Sequence, residues 1–423
     1  MTLAPHDQTS NQGSALISIG IAGLVMIPGV LFQIGGLPAS DLVKALVFGV
    51  AIVGAAFLLS WAAEVAQLDI SQTLAIAVLA LIAVLPEYAV DLFLAFRAGQ
   101  GDEEKRHLAV ANMTGANRLL IGVGWAVVVL IFFAQAKKRG RRPTALQLRP
   151  EQRTDVGFLL VATLWAFTIP FRGEIGLLDL GVLGGLFVAY IFRAAREEVE
   201  EPELIGAAAA IGALPTAARR TLTVALFLYS AAAILFVAEH FADGLIQIGE
   251  SFGISKFLLI QWVAPLASEA PEMIIAILFT LRLKEQAGMG TLISSKVNQW
   301  TLLIGTLGLV YSLGAGQIDA LHFDFEQKEE VFLTAAQSLF AVAVIANLKI
   351  SRNEALIMMA LFFGQFLLPY SPVRIGFGIA YIVLAVGIFA TKRDVRTGLV
   401  DAFKHVFEPI SRPRRSTKGR AGP

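Results

Sequence analysis

The chain has 423 residues, of which 56% are hydrophobic and only 16% are charged, and its formal net charge is +1. A soluble chain carries about a quarter charged residues, so this composition excludes an ordinary soluble protein and indicates one embedded in a lipid bilayer. The absence of cysteine excludes disulfides and thiolate metal sites.

Apolar stretches long enough to cross a bilayer as helices recur along the chain. The predicted fold class is therefore an all-α polytopic membrane protein with about 12 transmembrane helices. No secretory signal peptide is expected, because the N-terminal residues lack a basic start. The predicted spans are 14–36, 42–66, 71–97, 107–135, 154–171, 174–194, 220–245, 254–281, 290–315, 330–349, 353–370 and 373–391.

Charge in the connecting segments predicts the orientation. The loop 136–153 and the C-terminal tail are basic, whereas 316–330 has five acidic residues and one lysine. Basic loops stay on the cytoplasmic side, so we expect both termini and the loops 136–153 and 195–219 to be cytoplasmic, with the protein in the cell membrane. The basic tail is expected to lie beside anionic lipid rather than to bind nucleic acid.

Three landmarks occur twice in the same order, which indicates an internal repeat. They are the related stretches 54–71 and 237–255, the pairs Pro86–Glu87 and Pro271–Glu272, and a Leu-Leu-Ile-Gly sequence at 119–122 and 302–305. On the predicted topology the two glutamate helices run in opposite directions. Inverted repeats are typical of secondary transporters, with the site near the membrane midplane.

The repeat divides the chain into five predicted segments. Two inverted five-helix repeats occupy 42–194 and 220–370, and a cytoplasmic linker, 195–219, joins them. An N-terminal segment, 1–41, carries an extra helix. The segment 371–423 carries another extra helix and the basic tail.

Acidic residues lie in the middle of predicted spans, where an ionised group is costly and rarely lacks a partner or a function. Glu87 and Asp91 are four residues apart and Glu269 and Glu272 are three apart, so each pair shares a helix face. The adjacent prolines break the helix and free backbone carbonyls, which are tolerated at this depth only beside a cavity or a cation. These four acids are the candidate cation ligands.

Neutral oxygens are expected from further polar residues of the same region: Asn112, Asn117, Ser268, Ser295, Asn298 and Gln299. Each of them could instead form an interhelical hydrogen bond. Arg118 and Lys296 bring positive charge into these helices. They are predicted either to form salt bridges with the acids, to compensate part of their charge and leave room for one cation, or to face headgroups and a pore mouth.

On these residues the chain resembles the sodium/calcium exchanger family of the calcium/cation antiporter superfamily, as a divergent, bacterial-type member. Pro86–Glu87 and Pro271–Glu272 match the proline-glutamates of the two α-repeats of the family. "NMTGAN" (112–117) is similar to its Asn-x-x-Gly-Ser-Asn, and "VAEHFADG" (237–244) to its Gly-Ala-Glu-Leu-Phe-Val-Asp-Gly. The resemblance covers roughly 42–315. It implies a core of ten helices in which the paired glutamates coordinate Ca²⁺ and Na⁺ in turn.

The chain departs from the family pattern at several ligand positions. The usual Gly-Thr-Ser-Leu-Pro-Glu reads IAVLPE at 82–87 and ASEAPE at 267–272, and Leu120 and Leu303 stand where the family has Asn or Asp. Because the ligand set is rewritten, the resemblance does not transfer the identity or the stoichiometry of the ions.

The predicted function is secondary active antiport of cations, Ca²⁺ or Na⁺ against Na⁺ or H⁺, by alternating access. Oxygen-only ligands with net negative charge suit such hard cations. The chain has neither a phosphate-binding loop nor a His-Glu-x-x-His motif, so we expect no enzyme activity and no cofactor beyond the transported cations. A cation channel and a non-transporting scaffold or receptor remain as alternatives. The sequence makes no prediction about oligomeric state.

Overall fold

The computed structural model describes residues 17–35, 40–69, 85–195, 204, 206–253, 255–368 and 370–407. Helices dominate this part of the chain, as expected where no water can satisfy backbone polar groups. Among the described residues, six helices are long and apolar enough to cross a membrane, or seven if a bent pair counts as one span. Each predicted span overlaps a helix, although residues 71–84 of the third lie outside the described residues. The number twelve and the inversion of the repeats remain predictions.

The first half consists of helices linked by short connections. Two of its helices pass through a segment of π-helix, in which the backbone hydrogen bond reaches one residue further than in an α-helix. In chain order the elements are α1 (Met26–Gly35), α2 (Asp41–Ala66), α3 (Leu85–Gly99), α4 (Glu103–Leu119) with π1 (Leu120–Trp125) and α5 (Ala126–Lys138), β1 (Leu146–Gln147), α6 (Gln152–Ala166), α7 (Thr168–Arg172), β2 (Glu174–Ile175), and α8 (Leu177–Asp179) with π2 (Leu180–Gly184) and α9 (Gly185–Ala194).

The second half follows the same plan, and it also contains two π-helical segments. Its elements are α10 (Gly206–Gly212), α11 (Thr216–Phe252), α12 (Lys256–Leu258) with π3 (Leu259–Val263) and α13 (Ala264–Leu281), α14 (Glu285–Asn298) with π4 (Gln299–Leu303) and α15 (Ile304–Ala315), β3 (Leu321–His322), α16 (Phe325–Ile345), β4 (Lys349–Ile350), α17 (Arg352–Leu367), α18 (Ser371–Thr391) and α19 (Arg393–Phe407). The sequence analysis did not predict α10, α19 or the short strands.

Two short antiparallel strand pairs join the halves at their connecting segments. β1 pairs with β4, and β2 pairs with β3. The predicted topology places the loops of β1 and β4 on one side of the membrane and those of β2 and β3 on the other. Ion pairs between distant segments also join residues that were predicted to share a side: Asp69 with Arg219, Arg153 with Asp401, Lys105 with Asp243, and Lys256 with Glu104. Which face is cytoplasmic remains a prediction.

The apolar side chains form two main clusters. The larger cluster draws on the helices from α4 to α9 and from α13 to α19. The second is built around α2 and α11, and α1 and α10 pack against it. Helix α3 takes part in both, since Val90 and Leu94 belong to the second cluster and Ala95 and Ala98 to the first. Helices α4 and α13 also contribute to both clusters, so the three helices lie where the two packed bodies meet.

Candidate ion-binding site

Two helices supply the acidic side chains of the candidate site. Glu87 lies in the first turn of α3 and Asp91 one turn later, whereas Glu269 and Glu272 lie on α13. All four side chains are buried. The helix axis bends by 53° between Ala270 and Glu272, where the sequence has a proline and lacks a backbone N–H. The expected break therefore occurs beside the acid.

A glycine brings α4 against the helix that carries the second pair of acids. A Cβ atom at Gly115 would lie 1.8 Å from the backbone oxygen of Gln261 in π3. No side chain fits in that space, so the close approach of α4 and π3 depends on glycine. This contact explains the glycine of the "NMTGAN" sequence, and the same helix presents Asn112 and Asn117 as buried residues.

Two predicted neutral residues each hold one oxygen of an acid. The Asn112 amide donates to Asp91 Oδ1 at 2.9 Å, and the Gln299 amide donates to Glu269 Oε1 at 2.8 Å. The other carboxylate oxygen of each acid is buried and accepts no hydrogen bond from the described residues. The amides thus orient the acids, and one oxygen of each stays available for a cation.

Glu87 is the least satisfied of the four acids. It is buried, and neither of its carboxylate oxygens accepts a hydrogen bond within the described part of the chain. Its charge is repelled by Glu269, Asp91 and Glu272 and attracted by Lys296. Leaving a buried carboxylate without a partner is costly. An ionised carboxylate at this position would therefore need compensating positive charge.

Lys296 is the base that belongs to this cluster. Its side chain is fully buried, and its Nζ donates to Asn117 Oδ1 at 2.5 Å. The Nζ also lies 4.1 Å from the centroid of the Trp300 ring. Its charge interacts favourably with Glu269 and Glu87. Asn117, a predicted ligand, thus gives its side-chain oxygen to Lys296.

The remaining predicted ligands lie in the same region and make different contacts. The hydroxyl of Ser268 donates to backbone oxygens of its own helix, Ala264 at 3.3 Å and Pro265 at 3.2 Å. Ser295 is buried next to Glu272, although its hydroxyl has no hydrogen bond of standard geometry within the described residues. Asn298 is buried at the end of α14. Their role as ligands stays a prediction.

Arg118 makes a different contact from the one expected. Its guanidinium pairs with Glu330 of α16, and it lies 5.0 Å from the centroid of the Trp262 ring. Gln261 donates to the same carboxylate at 2.9 Å, and Arg374 of α18 contacts it at 3.1 Å. Arg118 thus forms its ion pair with Glu330 in a second polar cluster, and not with the four acids of the site.

Sequence reasoning missed three features of these clusters. Glu330 was assigned to an outer acidic segment, yet it is buried inside the bundle. Arg374 begins a span that was treated as an extra helix, and Trp300 had no assigned role. The four-residue spacing between Lys296 and Trp300 could have indicated that the two side chains share a helix face.

The four acids approach one another without closing into a compact ligand shell. Among the described residues, no three Asp, Glu or His side chains are close enough together to hold a metal ion. The oxygens are supplied from α3 and α13, which belong to different parts of the bundle. A cation held by both helices would therefore also need neutral oxygens as ligands.

The sequence profile described as "sodium/calcium exchanger protein" matches residues 42–195 and 222–370. This chain belongs to that family. The resemblance inferred from the proline-glutamates is thereby confirmed, and the exchanger is a multi-pass integral membrane protein of the calcium/cation antiporter type. A search of curated proteins gives no significant match.

Solved structures agree with the family assignment. The exchanger is 42% identical in sequence to the protein whose structure is described as the crystal structure of the H⁺/Ca²⁺ exchanger CAX. The match covers 93% of this chain and 98% of that one, with a TM-score of 0.88. Native YfkE is 15% identical, covering 89% and 99% of the two chains, with a TM-score of 0.58. The sodium-calcium exchanger NCX_Mj is 15% identical, covering 77% and 97%, with a TM-score of 0.51. At 15% identity these last two show the fold alone.

Proposed function

We propose that this exchanger moves Ca²⁺ across the membrane against H⁺, by alternating access at the site of Glu87, Asp91, Glu269 and Glu272. The observation that carries the proposal is the burial of all four acids. Neither carboxylate oxygen of Glu87 accepts a hydrogen bond from the described residues. The similarity to a protein described as an H⁺/Ca²⁺ exchanger supports the choice of counter-ion.

Electrostatics explains why such a site exchanges ions. Four close, buried carboxylates cannot all be ionised without positive charge beside them. Ca²⁺ and protons therefore compete for the same oxygens, and binding of one releases the other. Lys296 supplies a single positive charge, so the acids still need further cations.

The division of the apolar side chains into two clusters supports a movement of the helices around the site. The cluster around α2 and α11 is separate from the larger cluster, and three helices that carry polar side chains of the site, α3, α4 and α13, contribute to both. A shift of one body against the other would change the distance between Glu87 on α3 and Glu272 on α13. Such a shift would open the site to one side at a time, as transporters with repeated halves do.

The test uses purified protein in vesicles with a pH-sensitive dye inside. An inward Ca²⁺ gradient should drive H⁺ out of the vesicles, and a H⁺ gradient alone should drive Ca²⁺ uptake. Glu87→Gln and Glu272→Gln should each abolish both fluxes, whereas Glu151→Gln, at an exposed position, should leave them unchanged. Near-normal exchange in either site variant removes that residue from the site.

The same vesicles separate the alternatives. A channel would carry Ca²⁺ without any counter-ion and would set a membrane potential. Exchange driven by a Na⁺ gradient without movement of H⁺ would replace H⁺ by Na⁺ as the counter-ion. A scaffold or receptor would carry no ion at all.

A further inference from the structure

The surroundings of Lys296 have the composition of a cation site. Its Nζ faces the amide oxygen of Asn117 at 2.5 Å, the backbone oxygen of Asn117 at 3.4 Å, and the Trp300 ring at 4.1 Å from its centroid. Amide and carbonyl oxygens are ligands of hard cations, and an aromatic face attracts a cation. An ammonium group tethered to α14 occupies this place.

The orientation of Asn117 is fixed independently of Lys296. Its amide nitrogen donates to the backbone oxygen of Met113 at 2.8 Å, so its oxygen has to point away from its own helix. The oxygen therefore stays in place if the lysine side chain is removed. The side chain of Asn117 is fully buried, so removal of the lysine leaves a buried acceptor without its donor.

Two acids complete the electrostatic environment. Glu269 and Glu87 both attract the charge of Lys296. Like a bound monovalent cation, the ammonium neutralises one negative charge of the cluster. Unlike such an ion, it is covalently attached and cannot be carried across the membrane.

We infer that Lys296 is a specificity-determining residue: its ammonium fills a monovalent-cation subsite formed by Asn117 and Trp300 next to the acids, and thereby excludes Na⁺. The inference rests on the proposed function, because it explains how a site of hard-cation ligands works without Na⁺. A shortened side chain should leave the oxygens of Asn117, the ring and the negative charge of the acids in place. Na⁺ should then bind where the ammonium lies in the wild type.

The experiment compares Na⁺ binding by the wild type and by Lys296→Ala, as purified protein, with radioactive Na⁺ and with choline as the competing inert cation. We expect Lys296→Ala to bind Na⁺ at least about fivefold more tightly than the wild type, a typical size of coupling between sites, and Na⁺ to compete with Ca²⁺ in that variant alone. Lys296→Met, which fills the volume without charge, should not gain Na⁺ binding. Lys256→Ala removes a partly exposed lysine paired with Glu104 and Glu250 and should behave as the wild type.

Several outcomes overturn the inference. The first is that Lys296→Ala and the wild type bind Na⁺ equally well. The second is that Lys296→Met gains as much Na⁺ affinity as Lys296→Ala. The third is that Na⁺ already competes with Ca²⁺ in the wild type. Lys296→Ser provides a second small side chain. Since Na⁺ should replace the lost charge, failure of both small variants to fold in the presence of Na⁺ also counts against the inference.

Failure of the proposed function is recognised separately. If the proposed function is wrong, the wild type itself will carry Ca²⁺ without moving H⁺. The inference is measured as a difference in Na⁺ binding between the wild type and Lys296→Ala, which requires no transport.

Discussion

Arg118 and Glu330 form an ion pair in which each side chain is only 2% exposed, although 212 residues separate them in the chain. The pair joins α4 of the first half to α16 of the second. Arg374 on α18 contacts the same carboxylate, as does Gln261 on π3. The helix predicted as an addition at the C-terminal end is thus bound to the core through a buried charge.

Glu330→Gln should destabilise the exchanger strongly. The change leaves Arg118 and Arg374 buried without their shared carboxylate, and breaking a buried pair typically costs about 3–5 kcal/mol. Thermal unfolding in detergent should show a large decrease in the midpoint. Glu326→Gln removes an acid that also contacts Arg374 but is half exposed, and it should cost at most about 1 kcal/mol. Similar midpoints for the two variants would contradict the assigned network.

Gly115→Ala should disturb the packing of α4 on π3. The added methyl group meets the backbone oxygen of Gln261, which cannot move like a flexible side chain, and overpacking of this kind costs about 1–3 kcal/mol. We expect a lower unfolding midpoint and weaker Ca²⁺ binding. Gly185→Ala is the matched control, because a Cβ there has no atom within 4 Å. An unchanged Gly115→Ala protein would show that the helices do not approach so closely.

Gln299→Leu should weaken Ca²⁺ binding while the protein remains folded. The change removes the donor that holds Glu269 Oε1 at 2.8 Å. Loss of a residue that orients a metal ligand typically costs 10–100-fold in affinity, and we expect an effect on the order of tenfold in a Ca²⁺ titration. Gln100→Leu, on the exposed surface, should have no effect. Unaltered Ca²⁺ affinity of Gln299→Leu would exclude this orienting role.

Single cysteines introduced at the strand pairs can test the predicted sides of the membrane, because the natural chain has no cysteine that would react. Gln147 and Lys349 are opposite each other in one pair and both are exposed, while His322 is exposed in the other. Single cysteines at 147 and 349 should react with an impermeant maleimide from the cytoplasmic side alone. A cysteine at 322 should react from the opposite side alone. Labelling of 147 and 349 from different sides would exclude the β1–β4 pair, and labelling of all three from one side would exclude the predicted topology.

Asp69 should stabilise the exchanger in a pH-dependent way. It lies after the end of α2 and accepts hydrogen bonds from Arg219 at 2.7 and 2.8 Å and from Arg220 at 3.0 Å. The hydrogen bonds of Arg219, followed by Arg220 and the charges of both, lower the pKa of Asp69 from 3.8 to about 2. The stabilisation is therefore complete above the unfolded pKa near 4 and is lost as the pH falls toward 2.

The measurement is the difference in unfolding midpoint between the wild type and Asp69→Asn. It should stay constant from pH 7 to about 5 and decrease below about 4. Asp401→Asn, which removes an exposed partner of Arg153, should show a smaller difference from pH 7 to about 5. A difference for Asp69→Asn that grows as the pH falls would contradict the assigned sign.

Much of the fold follows from local properties of the sequence. Hydropathy alone indicated membrane helices, because each apolar run satisfies its backbone internally and needs no partner to be recognised. The spacing of Glu269 and Glu272 predicted a shared face, and Pro271 predicted the bend that the helix axis shows. The proline-glutamate pairs identified the family. These features depend on neighbouring residues along the chain, so the sequence by itself determined them.

The partners of the two buried bases were decided by tertiary structure. Arg118 and Lys296 both lie in apolar helices. From sequence alone, each could form a salt bridge with the acids, compensate part of their charge, or face headgroups and a pore mouth. Packing placed Lys296 beside Asn117, Trp300 and the acids, and it placed Arg118 beside Glu330. Charge interactions in a medium of low dielectric constant depend on the distance between helices that are far apart in sequence. Helical periodicity fixes the direction of a side chain on its own helix, but it does not fix which helix that side chain meets.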